Sequence, residues 1–289
     1  NLPGFITINP PVQFGSQNYG SAFLPAIYQG TRIGAAREKD GDGAEGAAAR
    51  IPNITNSDLP RELQRRQLDL VQAMNRDFLY ATNGDREVEG VIESFELAFR
   101  MQTEAADVFD ISKEPEAIRL MYGSGTHGRQ LLIARRLIER GVRFVQLFLG
   151  GQPWDNHQGI KANLPAIAKR TDQPCAALVQ DLKQRGLLST TLVHWGGEIG
   201  RLPVVEGSGD SVGRDHNGQG FTNWFAGGGI KAGMTYGETD EFGHKAVTNV
   251  VTPNDYQATL LHLFGLDHAK LVYHHNGQEQ KLTDNRPAR

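Results

Sequence analysis

The chain has 289 residues, a formal net charge of −3 and a single cysteine. The nearly balanced charge gives no electrostatic reason to expect nucleic acid or an anionic membrane surface as a partner. One cysteine excludes an intrachain disulfide framework. No apolar run reaches the length of a membrane span, so no such span is predicted. The length suits one large domain, over residues 1–289, with a substantial core.

The first half of the chain divides into an irregular segment and a helical one. Residues 1–57 are predicted to be mostly irregular because prolines and glycines interrupt any hydrophobic period. Residues 58–140 are predicted to be helical. The helices are expected near 58–80, 85–106, 114–122 and 127–140. Gly84 separates the first two and predicts an antiparallel pair, and Gly141 ends the last helix.

Residues 141–289 are predicted to be the α/β part that carries a site. Val142–Leu149 and Thr190–Trp195 have the apolar character of buried strands. The helix predicted between them covers Pro165–Arg185, and Pro174 should kink or split it. A strand–helix–strand unit of this kind places its two strands in parallel. Two later elements are predicted as well, an antiparallel strand over Phe221–Ala226 and a helix over Asp255–Phe264.

Four potential metal ligands lie in the loops around these strands. Asp155 and His157 come after the first strand, and Glu198 follows the second. Parallel strands end at one rim of a sheet, and the returning chain can bring His216 to that rim. Asp155 and His157 can face the same ion, because alternate residues of extended backbone point the same way. Oxygen and nitrogen ligands without thiolate suit one or two zinc or manganese ions better than calcium.

Each of these residues also has a simpler interpretation. Asp155 could form an Asx-turn after Pro153. Glu198 could pair with Arg201 at the surface, and His216 could be an ordinary loop histidine. The residues by themselves therefore leave two alternatives, a metal site and an ordinary surface loop that binds no metal.

Five motifs follow one another along nearly the whole chain. They are Glu93–Gln102, Ala134–Gln146, Thr191–Arg201, Gly213–His216 and Thr239–Gly243. In sequence and order these motifs resemble the domain-of-unknown-function 1501 (DUF1501) family. That family is typical of planctomycetes and is grouped with the alkaline-phosphatase/sulfatase-like superfamily. The resemblance implies an α/β fold with a central, mostly parallel sheet flanked by helices and with a helical insertion.

The resemblance also implies roles and partners. Asp155, His157 and His216 would ligate one metal, and Glu198 stands where the superfamily usually has an aspartate of the second metal. Family members carry a further N-terminal segment with the nucleophile, which nothing here matches, so the catalytic nucleophile is unassigned. The chain is therefore expected to be a C-terminal portion that pairs with an N-terminal chain of the same precursor or with another copy of itself. Export to the periplasm is implied too.

Two functions are consistent with these observations. The first is a metal-dependent hydrolase of phosphate or sulfate esters, in which Arg201 and Arg214 hold the anionic substrate. The second is a non-catalytic binding or structural protein that retains the sulfatase-like fold. The unmatched nucleophile segment and the glutamate at Glu198 favour the second. The intact mass of the native protein, measured together with its metal content, separates the two.

Overall fold

The computed structural model describes residues 2–22, 24–34 and 58–283, and within them the chain has a mixed α/β fold. The helices are α1 (Arg61–Ala81), α2 (Arg86–Phe109), α3 (Glu116–Tyr122), α4 (Thr126–Glu139), α5 (Ile160–Gln184) and α6 (Pro253–Leu263). The strands are β1 (Phe5–Ile8), β2 (Thr31–Ile33), β3 (Phe144–Leu147), β4 (Leu192–Trp195), β5 (Gly200–Arg201), β6 (His216–Asn217), β7 (Trp224–Gly227), β8 (Glu238–Thr239), β9 (Ala246–Thr248), β10 (Tyr273–His275) and β11 (Gln278–Gln280). None of the helices in these ranges combines the length and the apolar character that crossing a membrane requires.

The predicted helices are all present, with ends that shift by a few residues. Gly84 has a φ of +82° between α1 and α2, a left-handed conformation that suits glycine and stops the first helix. α5 differs most, because it begins at Ile160 rather than at Pro165 and is not split at Pro174. A proline removes one backbone hydrogen bond, and the turns on both sides of Pro174 sustain the 25-residue helix.

Polar side chains make the contact between α1 and α2. Gln72 is fully buried and donates a hydrogen bond to the Ile92 carbonyl at 2.7 Å. Arg65 pairs with Glu96 at 2.8 Å across the same contact. The apolar residues whose spacing predicts α1 lie on another side of the helix, and Met74 is 65% exposed. The spacing of apolar residues in α1 therefore predicts the helix correctly, but it does not identify the face of α1 that packs against α2.

A three-stranded parallel sheet, in the order β2-β1-β3, includes two short strands that were not predicted within the mostly irregular segment 1–57. β1 pairs with β3 from Phe5 opposite Phe144 to Ile8 opposite Leu147, and it pairs with β2 on its other side. Ile6, Thr7 and Ile8 are fully buried, as expected of β-branched residues in a central strand. Residues 35–57 of the predicted irregular segment lie outside the described ranges.

The predicted parallel pairing of β3 with β4 is wrong. β3 has β1 as its partner, whereas β4 pairs antiparallel with β7 in a separate two-stranded sheet. The antiparallel orientation of β7 was expected from the absence of a helical period before it. β5 with β6, β8 with β9, and β10 with β11 form three further two-stranded antiparallel sheets. The sheet content among the described residues is thus mixed rather than mostly parallel.

The chain groups into two compact units. The first comprises residues 1–152 and 170–178, and the second comprises residues 153–169 and 179–289. The main core of the first unit consists of Ile6, Ile8, Ile33, Val108, Ile133, Ala134, Leu137 and Val142. Beside it, the buried Glu114 carboxylate lies 2.6 Å from Arg135 Nη2 and also pairs with Arg136. Those guanidinium groups outweigh the effect of burial and hold the pKa of Glu114 below its usual value.

Candidate metal centre

The second unit contains the loop that carries Asp155 and His157, just before α5. Asn156, between them, is 6% exposed, and its side chain donates to the Pro153 carbonyl at 3.2 Å. Its own carbonyl accepts the backbone N–H of Arg214 at 2.9 Å. Because Asn156 is held inward on this side, the residues before and after it are presented together on the other.

The segment between β5 and β6 forms a second loop, which contributes Glu206 and leads into His216. The backbones of Glu206 and Gly213 exchange two hydrogen bonds of 2.9 Å in an antiparallel bridge. Gly213 lies directly on the loop of Asp155, since a Cβ atom there would be 2.1 Å from the carbonyl of His157. β5 and β6 then pair Arg201 opposite His216. The close approach at Gly213 is the physical reason for a glycine at that position.

Asp155, His157 and His216 converge on one point. The Nε2 atoms of both histidines lie 3.1 Å from Asp155 Oδ1, and they are 3.2 Å from each other. An ion about 2.1 Å from all three atoms would have ligand–ion–ligand angles of about 95° to 100°, between the octahedral and the tetrahedral values. The three residues predicted from the sequence thus lie close enough together to share one ion. All three are half-buried or exposed, so the site is open to solvent.

Glu206 orients His157 from the other side of the ring. Its Oε2 atom lies 2.7 Å from His157 Nδ1, and this hydrogen bond raises the pKa of His157. When neutral His157 donates Nδ1–H to this carboxylate, its Nε2 lone pair faces Asp155 and His216. A carboxylate behind the outer nitrogen is the usual support of a metal-binding histidine. The chemistry of the donor set therefore fits a metal ion.

Asp155 is ionised, and neighbouring side chains balance part of its negative charge. Burial acts to raise the pKa of Asp155, but the hydrogen bond from His216 and the adjacent Arg201 guanidinium outweigh it and hold the pKa below its usual value. Arg201 Nη1 lies 2.5 Å from Asp155 Oδ1. A loop carboxylate that forms only an Asx-turn would need no such set of cations and imidazoles.

The other predicted site residues have different surroundings. Arg214 donates Nη1–H to the Leu202 carbonyl at 3.0 Å, which fixes its side chain beside the β5–β6 pair. Glu198 is exposed and does not belong to the groups of potential ligands whose atoms lie within 4.8 Å of one another among the described residues. The structure thus brings three of the four predicted ligands together, and a role for Glu198 remains a prediction.

Sequence reasoning did not find Glu206 or Asp215. Together with His157 they form a second group of possible ligand atoms within 4.8 Å. Asp215 is the weaker member, because its Oδ1 atom is 4.0 Å from His157 Nδ1. Glu206 is 49 residues from His157, and no local spacing signals their contact. The bridge at Gly213, which creates it, could be inferred only from the fold.

The comparison with known families gives a match over the whole chain. The DUF1501 family, described as proteins of unknown function, matches residues 1–289. The chain belongs to the DUF1501 family. No curated protein and no solved structure matches it. The family is therefore shown by sequence, and the chemistry of this DUF1501 member has to be argued from the site itself.

Proposed function

We propose that this DUF1501 protein is a metal-dependent hydrolase of phosphate or sulfate esters. The observation that carries the proposal is the convergence of Asp155 Oδ1 with the Nε2 atoms of His157 and His216, all within 3.2 Å of one another. Two imidazoles and a carboxylate suit zinc or manganese. A bound divalent ion would polarise a phosphoryl or sulfuryl oxygen, or lower the pKa of a bound water.

The chain's own residues have distinct tasks in this proposal. Asp155, His157 and His216 hold the ion, and Glu206 keeps the His157 ring in the tautomer whose Nε2 is free to ligate. Arg201 balances part of the charge of Asp155, with Nη1 2.5 Å from Asp155 Oδ1. The other guanidinium donors of Arg201 would be placed to hold an anionic ester beside the ion.

The fold and the location of the protein are proposed from the same family resemblance. We infer that the chain shares the fold of the alkaline-phosphatase/sulfatase-like superfamily and that it is exported to the periplasm. The support is the ordered set of five motifs, of which Gly213–His216 supplies the glycine that packs on the His157 loop and the second histidine of the site. Glu198 is proposed, on the resemblance alone, to serve a second ion.

Metal analysis combined with hydrolysis of aryl phosphate and aryl sulfate esters tests the proposal. The wild-type protein, supplemented with zinc or manganese, should bind the ion stoichiometrically, whereas His157→Ala and His216→Ala should lose it and any ester hydrolysis. His274→Ala is the matched control, because His274 is 72% exposed and lies in β10, outside the site. Full metal retention by both ligand variants would refute the site.

A non-catalytic binding protein is the second candidate. The observation that favours it is the ion pair of Arg201 with Asp155, because a carboxylate paired with a guanidinium is less available as a metal ligand. Stoichiometric metal binding without hydrolysis of either ester class would support this candidate. Hydrolysis that is lost in His157→Ala and His216→Ala would exclude it.

A further inference from the structure

The three tryptophans of the chain form one cluster in the second unit. Trp195 and Trp224 lie directly opposite each other in the β4–β7 pair. Their rings are parallel to within 12°, with centroids 6.4 Å apart. Trp154 meets Trp195 edge to face, with centroids 5.6 Å apart. We define these three residues as the tryptophan cluster.

The tryptophan cluster occupies one face of the β4–β7 pair, and that face is partly exposed. Side chains alternate along a strand, so His194 and Phe225 point to the opposite face. There His194 stacks on Phe225 and contacts the Tyr256 hydroxyl of α6 at 3.0 Å. On the tryptophan face, Trp195 remains 37% exposed. An exposed group of large aromatic rings is a feature of ligand-binding surfaces.

The tryptophan cluster is linked to the candidate metal centre through one loop. Trp154 immediately precedes Asp155, so the loop that carries two of the potential metal ligands also carries one member of the tryptophan cluster. In the proposal that follows, a ligand with its charged group at Asp155, His157 and His216 extends along this loop toward the indole rings. Since the chain holds no other tryptophan, intrinsic tryptophan fluorescence reports on this one surface.

We propose that the tryptophan cluster binds the ring of the substrate, and that the substrate is a phosphate or sulfate ester of a sugar. The inference rests on the proposed function, which places the ester group at the metal centre. Indole faces carry negative electrostatic potential, and the axial C–H groups of a sugar ring present weakly positive hydrogens to them. The partial exposure of Trp195 leaves the sugar hydroxyls in water, whereas an aryl ring would be better served by an enclosed pocket.

Binding measurements on the metal-loaded protein test the proposal. The probes are the 6-phosphates and 6-sulfates of glucose, galactose and N-acetylglucosamine, with inorganic phosphate and sulfate as ring-free controls. Calorimetry gives Kd for wild type, Trp195→Ala and Trp195→Phe. Tyr236→Ala is the matched control, because Tyr236 is 65% exposed and lies outside the tryptophan cluster. Thermal unfolding confirms that each variant is folded.

The tryptophan cluster predicts a specific pattern of affinities. At least one sugar ester should bind tighter than its inorganic anion and quench tryptophan fluorescence. Trp195→Ala should raise its Kd about tenfold, Trp195→Phe should restore much of the affinity, and both variants should leave the inorganic anions unchanged. Tyr236→Ala should match wild type for every probe.

Each contrary result identifies what has failed. Sugar esters that bind no tighter than inorganic anions, or whose Kd is unchanged in Trp195→Ala, overturn the assignment of the tryptophan cluster while the hydrolase proposal stands. Sugar esters that bind through Trp195 in a protein that binds no metal and no inorganic anion would overturn the hydrolase instead. A dimer that dissociates in Trp195→Ala would make this face a self-association surface and overturn the sugar assignment.

Discussion

Replacing Glu206 tests whether the carboxylate behind His157 supports a metal site. The two atoms, Glu206 Oε2 and His157 Nδ1, are 2.7 Å apart, the length of a charge-assisted hydrogen bond. Glu206→Leu removes the acceptor and the charge, whereas Glu206→Gln keeps an acceptor of similar shape. The histidine should therefore lose both its orientation and part of its basicity in the first variant, and mainly basicity in the second.

The expected magnitude follows from the exposure of this pair. Loss of a carboxylate behind a ligating histidine lowers metal affinity by about 10- to 100-fold. The side chains of His157 and Glu206 are 39% and 41% exposed, so solvent screening places the effect at the lower end. We expect zinc affinity to fall about tenfold in Glu206→Leu, or about 1.4 kcal/mol, and about threefold in Glu206→Gln.

Competition between the protein and a zinc chelator of known affinity measures these changes. Glu238→Gln serves as the matched carboxylate control, because Glu238 is exposed and lies outside the groups of converging ligand atoms among the described residues. Glu198→Gln is measured beside it as a test of the proposed second ion. Wild-type affinity in both Glu206 variants would refute the orienting role. An affinity loss in Glu198→Gln that exceeds the loss in Glu206→Leu would instead show that the second-metal role implied by family resemblance is correct.

Three further predictions concern stability and packing. Gly213→Ala should lower the free energy of unfolding by about 1–3 kcal/mol and weaken zinc binding, because the new Cβ would lie 2.1 Å from the His157 carbonyl; urea unfolding and chelator competition measure both. Glu114→Gln should cost about 3 kcal/mol in urea unfolding, since Glu114 balances the fully buried guanidinium of Arg135. Between pH 7.5 and 5.0, wild type should lose about 2 kcal/mol more stability than His127→Gln.

The His127 prediction depends on the sign of its pKa shift. Burial, reinforced by the positive charge of Arg170, lowers the pKa of His127 from 6.5 to about 4. The unfolded chain therefore binds the proton at a higher pH than the folded chain does. The contribution of neutral His127 to folding stability is therefore fully present above pH 6.5 and is lost as the pH falls toward 4. Equal pH dependence of wild type and His127→Gln would contradict this reasoning.

The other two predictions have their own controls. Gly218→Ala should be nearly neutral, because the nearest atom to its Cβ is Ile199 Cδ1 at 3.9 Å. Equal destabilisation at Gly213 and Gly218 would show that the close approach to His157 is unimportant. For Glu114→Gln, a cost below about 1 kcal/mol, the range of exposed ion pairs, would contradict the buried role of that carboxylate.

Local sequence patterns are sufficient to predict the positions of the helices and two residues of the candidate metal centre, Asp155 and His157. Amphipathic spacing and stop signals such as Gly84 and Gly141 act between residues a few positions apart, so they can be recognised without a fold. The same holds for Asp155 and His157, whose alternate spacing brings both side chains to one side of a loop. Local backbone geometry is sufficient for each of these predictions.

Pairing between distant segments is decided only by the tertiary structure. β1 has four residues within a segment rich in proline and glycine, yet β3 selects it rather than β4 as a parallel partner. Glu206 reaches His157 only because Gly213 allows two loops to touch. Arg201 approaches Asp155, and not Glu198, through its pairing with β6. Such contacts depend on which surfaces are buried together. A short local sequence pattern does not specify which distant segments will pack against each other.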